Sequence, residues 1–301
     1  MNTNQIGASA GYTFAYYSLD SSLERFLWSI DRLGELGYKS YSLEILEPEH
    51  VALYRQKGAI EKLLARSKQS GVTFASFIPY HCCTNLTSAR DERRRLGVQQ
   101  FREGVEIARD LGIPLVTIAS DWPPEWVSSY STDYAHAPAA AFDVPSRTAY
   151  DRVWSSYVAA ISECLEIADK HRMQFGLEPR ANCLVWNADS FLRMWDKLAS
   201  DRFSCVLDVM HCAYHRENAP VAIKKLDSRL GILQICGTDG KSLSHLPLTD
   251  DPATRNTLKA LEEMAFSGVI DVELYGMPTE TIDESYRQAR VILEQQMAAV
   301  R

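Results

Sequence analysis

The feature that most constrains this chain of 301 residues is a recurring pattern in which a short apolar run, a loop and an amphipathic stretch follow one another eight times. The apolar runs read as strands buried on both faces, and the stretches with helical spacing read as the helices that cover them. The first unit pairs Ile6 to Ala10 with a helix from Ser22 to Leu36, the second pairs Ser40 to Ile45 with a helix near Pro48 to Ser67, and the third pairs Val72 to Ile78 with a charged helix from Ala89 to Leu111. The fourth strand, Leu115 to Ile118, precedes a long loop from Ser120 to about Arg147 and a helix from Thr148 to Lys170. Gln174 to Leu177 with Ala188 to Leu198 forms the fifth unit, and Phe203 to Leu207 with a short helix opened by Pro220 forms the sixth. Leu230 to Ile235 with Pro252 to Ala265, then Val269 to Leu274 with Glu280 to Met297, complete the series.

Gly37, Gly71 and Gly112 stand just before the second, third and fourth strands, where a left-handed residue ends a helix and allows a tight turn back to the sheet. The loops that follow strands, such as Ser120 to Arg147 and Cys236 to Asp251, are long by comparison. No GxGxxG turn follows the first strand, so eight alternations fit a closed parallel (β/α)8 barrel, a TIM barrel of one domain over residues 1–301, better than an open doubly wound sheet. In such barrels the long loops after the strands carry the chemistry.

Composition narrows the partners. A hydrophobic share of 46% supports a large core, while a net charge of -7 argues against nucleic acid or an anionic membrane as partner. No stretch reaches the roughly 20 apolar residues that a membrane-spanning helix needs, and the N-terminal MNTNQIGASAGYTF has neither a basic region nor a long apolar one. A cytoplasmic location is expected. The seven cysteines, at 82, 83, 164, 183, 205, 212 and 236, include no CxxC pair and fall mostly in apolar patterns, which predicts reduced, buried thiols and no zinc-thiolate site.

Acidic residues end several strands that are otherwise apolar: Glu178 in QFGLEPR, Asp208 in CVLDVMH and Glu273 in VIDVELYG. In a closed barrel these ends converge, and three carboxylates in one place repel each other unless a cation neutralises them. Gln234, in GILQICGTDG on the seventh strand, occupies the corresponding place and completes an all-oxygen set. Such a set suits Mn2+ or Mg2+, with Co2+ and Zn2+ also compatible. Each acid taken alone is more often a helix cap or an ion-pair partner; four polar residues on four consecutive strand ends are harder to explain that way.

Around them, His211 lies three residues after Asp208, and Arg180 lies two residues after Glu178, along the same strand direction. Both are candidates for substrate contact, as are Glu44 at the end of the second strand and His245 in the loop KSLSHLPL. Lys241 in the same loop is open between the mouth and solvent, His215 reads as a surface or capping residue, and Trp122 and Trp126 read as packing residues or as a wall over the mouth.

The chain resembles the xylose isomerase-like barrel superfamily, in particular its sugar phosphate isomerase/epimerase group, from YKSYSLEI through NLTSARDERRRLGVQQFREGVEIARDLGIP to VIDVELYG. The resemblance implies a single metal held by residues on strands five to eight, which falls here on Glu178, Asp208 and Glu273, with the Asp-x-x-His element on Asp208 and His211. Gln234 departs from the ketose epimerases and inosose enzymes, which have a metal-binding histidine there, and resembles some dehydratases. Those dehydratases also have a histidine where this chain has Arg180 and a lysine where it has Cys236, which weakens a 3-dehydroshikimate reading, and the negative net charge disfavours an endonuclease IV-like role. The resemblance implies a metal-dependent isomerase or epimerase of a sugar or polyol, working through a metal-stabilised enediolate with Glu178 and Glu273 exchanging protons. The alternatives are a lyase or dehydratase of the same superfamily and a non-catalytic or partner-dependent sugar-binding barrel. Substrate phosphorylation and a monomeric or homo-oligomeric state are left open.

Overall fold

A computed structural model describes residues 5–17, 22–129, 141–275 and 277–300. Its eight barrel strands are β1 (Gln5–Ala8), β2 (Ser40–Glu44), β3 (Thr73–Ile78), β4 (Leu115–Ala119), β5 (Gln174–Glu178), β6 (Phe203–Asp208), β7 (Leu230–Ile235) and β8 (Val269–Val272). Each pairs in parallel with its neighbours in sequence, and β1 pairs with β8 to close the barrel. The covering helices are α1 (Leu23–Glu35), α2 (Ala59–Ser70), α3 (Asp91–Asp110), α4 (Arg147–Lys170), α5 (Ala188–Leu198), α6 (Ala219–Leu226), α7 (Pro252–Glu263) and α8 (Thr279–Val300). The (β/α)8 barrel read from the pattern of apolar runs is the architecture observed.

Local chemistry accounts for where the helices start and stop. Ser22, Ser146, Asn187, Asn218 and Asp251 each accept a backbone N–H of the first turn, which satisfies a donor the helix itself cannot and contributes about 1 kcal/mol per cap. Gly37, Gly71 and Gly112 take φ values of +89°, +69° and +68°, as expected of residues that end helices in the left-handed region. Between wall and helices, Phe175 packs 4.9 Å from Phe101 and 5.5 Å from Phe203, and Phe203 lies 5.1 Å from Phe191, so aromatic rings tie β5 and β6 to α3 and α5.

Several boundaries differ from the sequence reading. The expected helix near Pro48 to Ser67 is broken into a turn at Pro48–His50, a short helix Val51–Arg55 and α2, because Gly58 at φ +77° interrupts it. The loop after β4 contains a small hairpin, Val127–Ser129 against Ala141–Phe142, and a helix Val209–Tyr214 follows β6 directly. Gly11–Tyr17 forms a further helix after β1. The last strand stops at Val272, which leaves Glu273 one residue beyond it. Among the described residues no helix is long and apolar enough to cross a membrane. All seven cysteines are free thiols, and six of them are buried.

The barrel interior below the mouth is polar. Ser42 donates to Asp271 at 2.7 Å, and Ser76 donates to Ser42 at 2.9 Å. Gly7 makes room for this layer, since a methyl group there would lie 2.1 Å from Asp271 Oδ1 and 2.4 Å from Ser40 Oγ. Gly7→Ala is therefore expected to cost about 1–3 kcal/mol of stability in urea denaturation, because the layer is closed on all sides. A variant as stable as the parent would show that this layer can yield.

His81, just beyond β3, gives a second stability prediction. Burial lowers its imidazole to about 4, with the Ile45 backbone opposing and His50 reinforcing the shift. The folded state thus binds fewer protons than the unfolded state between the unfolded value of about 6.5 and 4, so stability falls as the pH drops through that window. Relative to His81→Gln, the parent should lose up to about 3 kcal/mol between those limits. Parallel stability profiles for the two proteins would contradict it.

Candidate metal centre

Register sets the site. Asp208 and Gln234 are paired across β6 and β7, Gln234 and Asp271 across β7 and β8, and Glu178 ends β5 opposite Ala119. Strand alternation then puts Asp271 and Glu273 on the same inward face, with the Glu273 amide donating to the Ile235 carbonyl at 3.1 Å. Glu178, Asp208, Gln234 and Glu273 thus all come from neighbouring strand ends at one mouth.

Asp208 is the most enclosed of them, at 1% exposure. Its Oδ1 accepts the Met210 amide at 2.7 Å and so caps the helix Val209–Tyr214. Its Oδ2 lies 2.9 Å from His245 Nε2 and 3.8 Å from His211 Nε2. Burial acts to raise this carboxyl, but His245, His211 and the Met210 amide outweigh it and hold Asp208 below its ordinary value.

His211 bridges towards Glu178. Its Nδ1 accepts the Ala181 amide at 3.2 Å, which leaves the proton of the neutral ring on Nε2, 3.3 Å from Glu178 Oε1. A ring fixed in that tautomer offers an N–H to an oxygen rather than a lone pair to a metal.

Charge accumulates on the other side of the mouth. Burial, together with the charges of Asp208, Glu178, Glu44 and Asp271, pushes Glu273 well above the usual carboxylate range. Burial and Glu178 push Glu44 up to about 8, with Arg180 opposing them, and burial raises Asp271 to about 6 against the Ser42 hydrogen bond. So many carboxyl groups that resist ionisation together are the arrangement a divalent cation would relieve.

The donor atoms fit such a cation in part. Gln234 Oε1 is buried and has no hydrogen-bond partner among the described residues. One donor atom each from Glu178, Asp208 and His211 lie within 4.8 Å of one another, as do donor atoms from Asp208, Cys236 and His245. Neither cluster includes Glu273, whose carboxyl is near enough to feel Asp208 and Glu178 but stands outside the tightest sets.

The remaining candidates divide. Arg180 donates to the Tyr80 hydroxyl, lies over that ring at 5.3 Å from its centroid, and is near enough for its charge to favour the ionised form of Glu44. His245 is 6% exposed and reaches Asp208 although it belongs to a loop. Lys241 is exposed, its amide bonded to Asp239 at 2.8 Å in the turn, and is not drawn into the centre. His215 packs edge-on to Trp186 at 4.8 Å, away from the carboxylates. Trp122 packs on Phe142 at 4.9 Å and lines with it and Leu243 a cavity of about 30 Å³, while Trp126, 6.3 Å from Trp122, is a buried packing residue outside that lining.

Asp271 and Tyr80 carried no weight in the sequence reading, and Cys236 entered it only as a departure from the dehydratases, not as a possible ligand. Asp271 and Cys236 could have been found by alternation, since each is two residues from a candidate ligand on the same strand direction. Tyr80 meets Arg180 from a different strand end, and no local signal announces it.

Comparison with known proteins places the chain in a family. The family described as "Xylose isomerase-like TIM barrel" matches residues 30–295. An uncharacterised protein of Methanocaldococcus jannaschii is 21% identical over 266 residues, covering 86% of this chain and 83% of its own. Among solved structures, a D-tagatose 3-epimerase-like protein superposes with a TM-score of 0.75 at 18% identity, covering 98% of both chains. The IolI protein, solved with a bound zinc atom, superposes at 0.70 with 17% identity and covers 99% of both chains. At these identities the superpositions speak for the fold, and the family match, which extends from α1 to α8, settles the membership. The chain belongs to the xylose isomerase-like TIM barrel family.

Proposed function

We propose that the chain is a metal-dependent isomerase or epimerase of a ketose or a polyol-derived ketone, with Glu178, Asp208, Gln234 and Glu273 as the metal set. The observation that carries the reading is the crowding of Glu273 by four other carboxyl groups, which holds it far above its ordinary range where a single cation would bring it down. The superposition on a D-tagatose 3-epimerase-like protein supports the substrate class. When bound, the ion polarises a substrate carbonyl and offsets the negative charge that builds up once the neighbouring carbon loses its proton.

The chain's own groups supply the rest. Glu178 and Glu273 come from strands separated by two others, so a substrate lying between them meets a proton acceptor on each side. Exchange on both faces inverts the carbon between them, and a single acceptor moving a proton between adjacent carbons interconverts ketose and aldose. His211, with its proton on Nε2, donates to a substrate oxygen, and Arg180 orients the far end of the molecule from its seat on Tyr80. Trp122, Phe142 and Leu243 line a cavity with Ala181, Asn182 and Cys183, the residues that follow Glu178 and Arg180, and would wall that side of a bound substrate.

Gln234 favours a lyase as the second reading, because a glutamine at this place resembles some dehydratases of the superfamily. Loss of the proton followed by loss of a β-hydroxyl or aglycone would then replace reprotonation. Both readings are tested by incubating the manganese-loaded protein in deuterated water with unphosphorylated ketoses, inososes, 3-keto-glycosides and 3-dehydroshikimate. Deuterium beside the carbonyl of an isomerised or epimerised sugar is the expected result. An unsaturated product would select the lyase, and no exchange with any of these substrates would reduce the chain to a binding protein.

A further inference from the structure

We propose that Cys236, His245 and Asp208 form a thiolate, imidazole and carboxylate ligand set on one flank of the mouth, which gives the chain an affinity for a zinc-class ion that carboxylates alone would not provide. The proposal rests on the metal reading above only through the shared Asp208, and not on Glu178 or Glu273. One donor atom from each of the three residues lies within 4.8 Å of the others, and His245 Nε2 stands 2.9 Å from Asp208 Oδ2. Their exposures are 4%, 6% and 1%, so all three are withdrawn from solvent.

Position explains the meeting. Cys236 follows Gln234 by two residues at the end of β7, so its side chain emerges on the same inward face. His245 is not a free loop residue: Gly237 and Leu246 exchange backbone hydrogen bonds of 2.8 and 2.9 Å, and this bridge fixes the imidazole beside the strand that carries the thiol. A methyl group at Gly237 would fall 2.1 Å from the Pro247 carbonyl oxygen, so the loop is folded down as closely as glycine permits.

A buried cysteine by itself is ordinarily a small apolar filler. Two further observations point to a ligand here. His245 Nδ1 is buried with no hydrogen-bond partner among the described residues, which is costly in a pocket that had only packing to do. Asp208 Oδ2 is also shared between two imidazoles, as an oxygen at the edge of a coordination sphere would be. A thiolate, a carboxylate and a neutral imidazole sum to two negative charges, which a dication balances, and leave a fourth tetrahedral position for water or substrate. Sulfur moves the preference from manganese and magnesium towards zinc and cobalt.

The test uses cobalt(II) as a spectroscopic probe on the metal-free full chain. Cobalt is expected to produce a near-ultraviolet thiolate-to-cobalt charge-transfer band in the parent and in Glu273→Gln, and zinc is expected to abolish it by displacement. Cys236→Ser should lose the band and at least ~10-fold in zinc affinity, with manganese affinity nearly unchanged. If Cys236→Ser does not fold, Cys236→Ala serves the same purpose, thermal melts reporting the fold of each. Cobalt bound to the parent without the band, or a band that survives in the Cys236 variant, overturns the proposal. Failure of the carboxylate reading would appear separately, as manganese affinity indifferent to Glu178 and Glu273.

Discussion

Glu273→Gln is expected to lower turnover by about 100- to 10,000-fold, the range that a general acid or base contributes, while leaving the folded state at least as stable as the parent. The amide keeps the shape of the side chain but cannot take a proton. It also removes one of the groups whose ionisation is opposed by burial and by Asp208, Glu178, Glu44 and Asp271, so the metal-free fold should gain from the change rather than lose. Steady-state kinetics at saturating manganese and thermal melts of the metal-free protein separate the two effects. Turnover within a few-fold of the parent would remove Glu273 from the reaction, and a sharp fall in melting temperature would make its role structural.

Asp208→Asn is expected to lower manganese affinity by at least ~100-fold, more than the loss of an outer partner would cost. Asparagine is as good an N-cap as aspartate, so the Met210 amide keeps its acceptor and the helix Val209–Tyr214 keeps its start. What changes is the charge beside His245 and His211. Isothermal titration with manganese reads the affinity directly. An unchanged value would show that the cation is held by the neighbouring acids without Asp208.

Much of this architecture was legible because it is written in local patterns. Gly37, Gly71 and Gly112 mark helix ends through a backbone conformation that other residues resist, and the strand runs Gln174–Glu178 and Leu230–Ile235 are bounded by the loops that surround them. That polar residues stand at or next to the ends of the fifth to eighth strands was legible for the same reason, but their heights were not, since the register pairs Gln234 with Asp208 on one side and with Asp271 rather than Glu273 on the other. Less legible was anything decided by contacts between distant segments. His245 reaches Asp208 because of a bridge between Gly237 and Leu246, and Arg180 finds Tyr80 a hundred residues away. The helix expected across Pro48 to Ser67 failed at Gly58, a residue that helical spacing alone tolerates but that here adopts a left-handed turn. Asp271 hid behind its neighbour Glu273, although alternation places both on one face and only the interior layer of Ser42 and Ser76 explains why an acid is accommodated so deep.

The most direct test is crystallographic. Crystals of the full chain soaked in manganese are expected to give an anomalous difference peak within coordination distance of Glu178, Asp208 and Glu273 together, with Glu273 drawn in from its place outside the tighter clusters. A map at saturating manganese with no peak in reach of those three carboxylates, or side chains turned away from one another, would contradict the account.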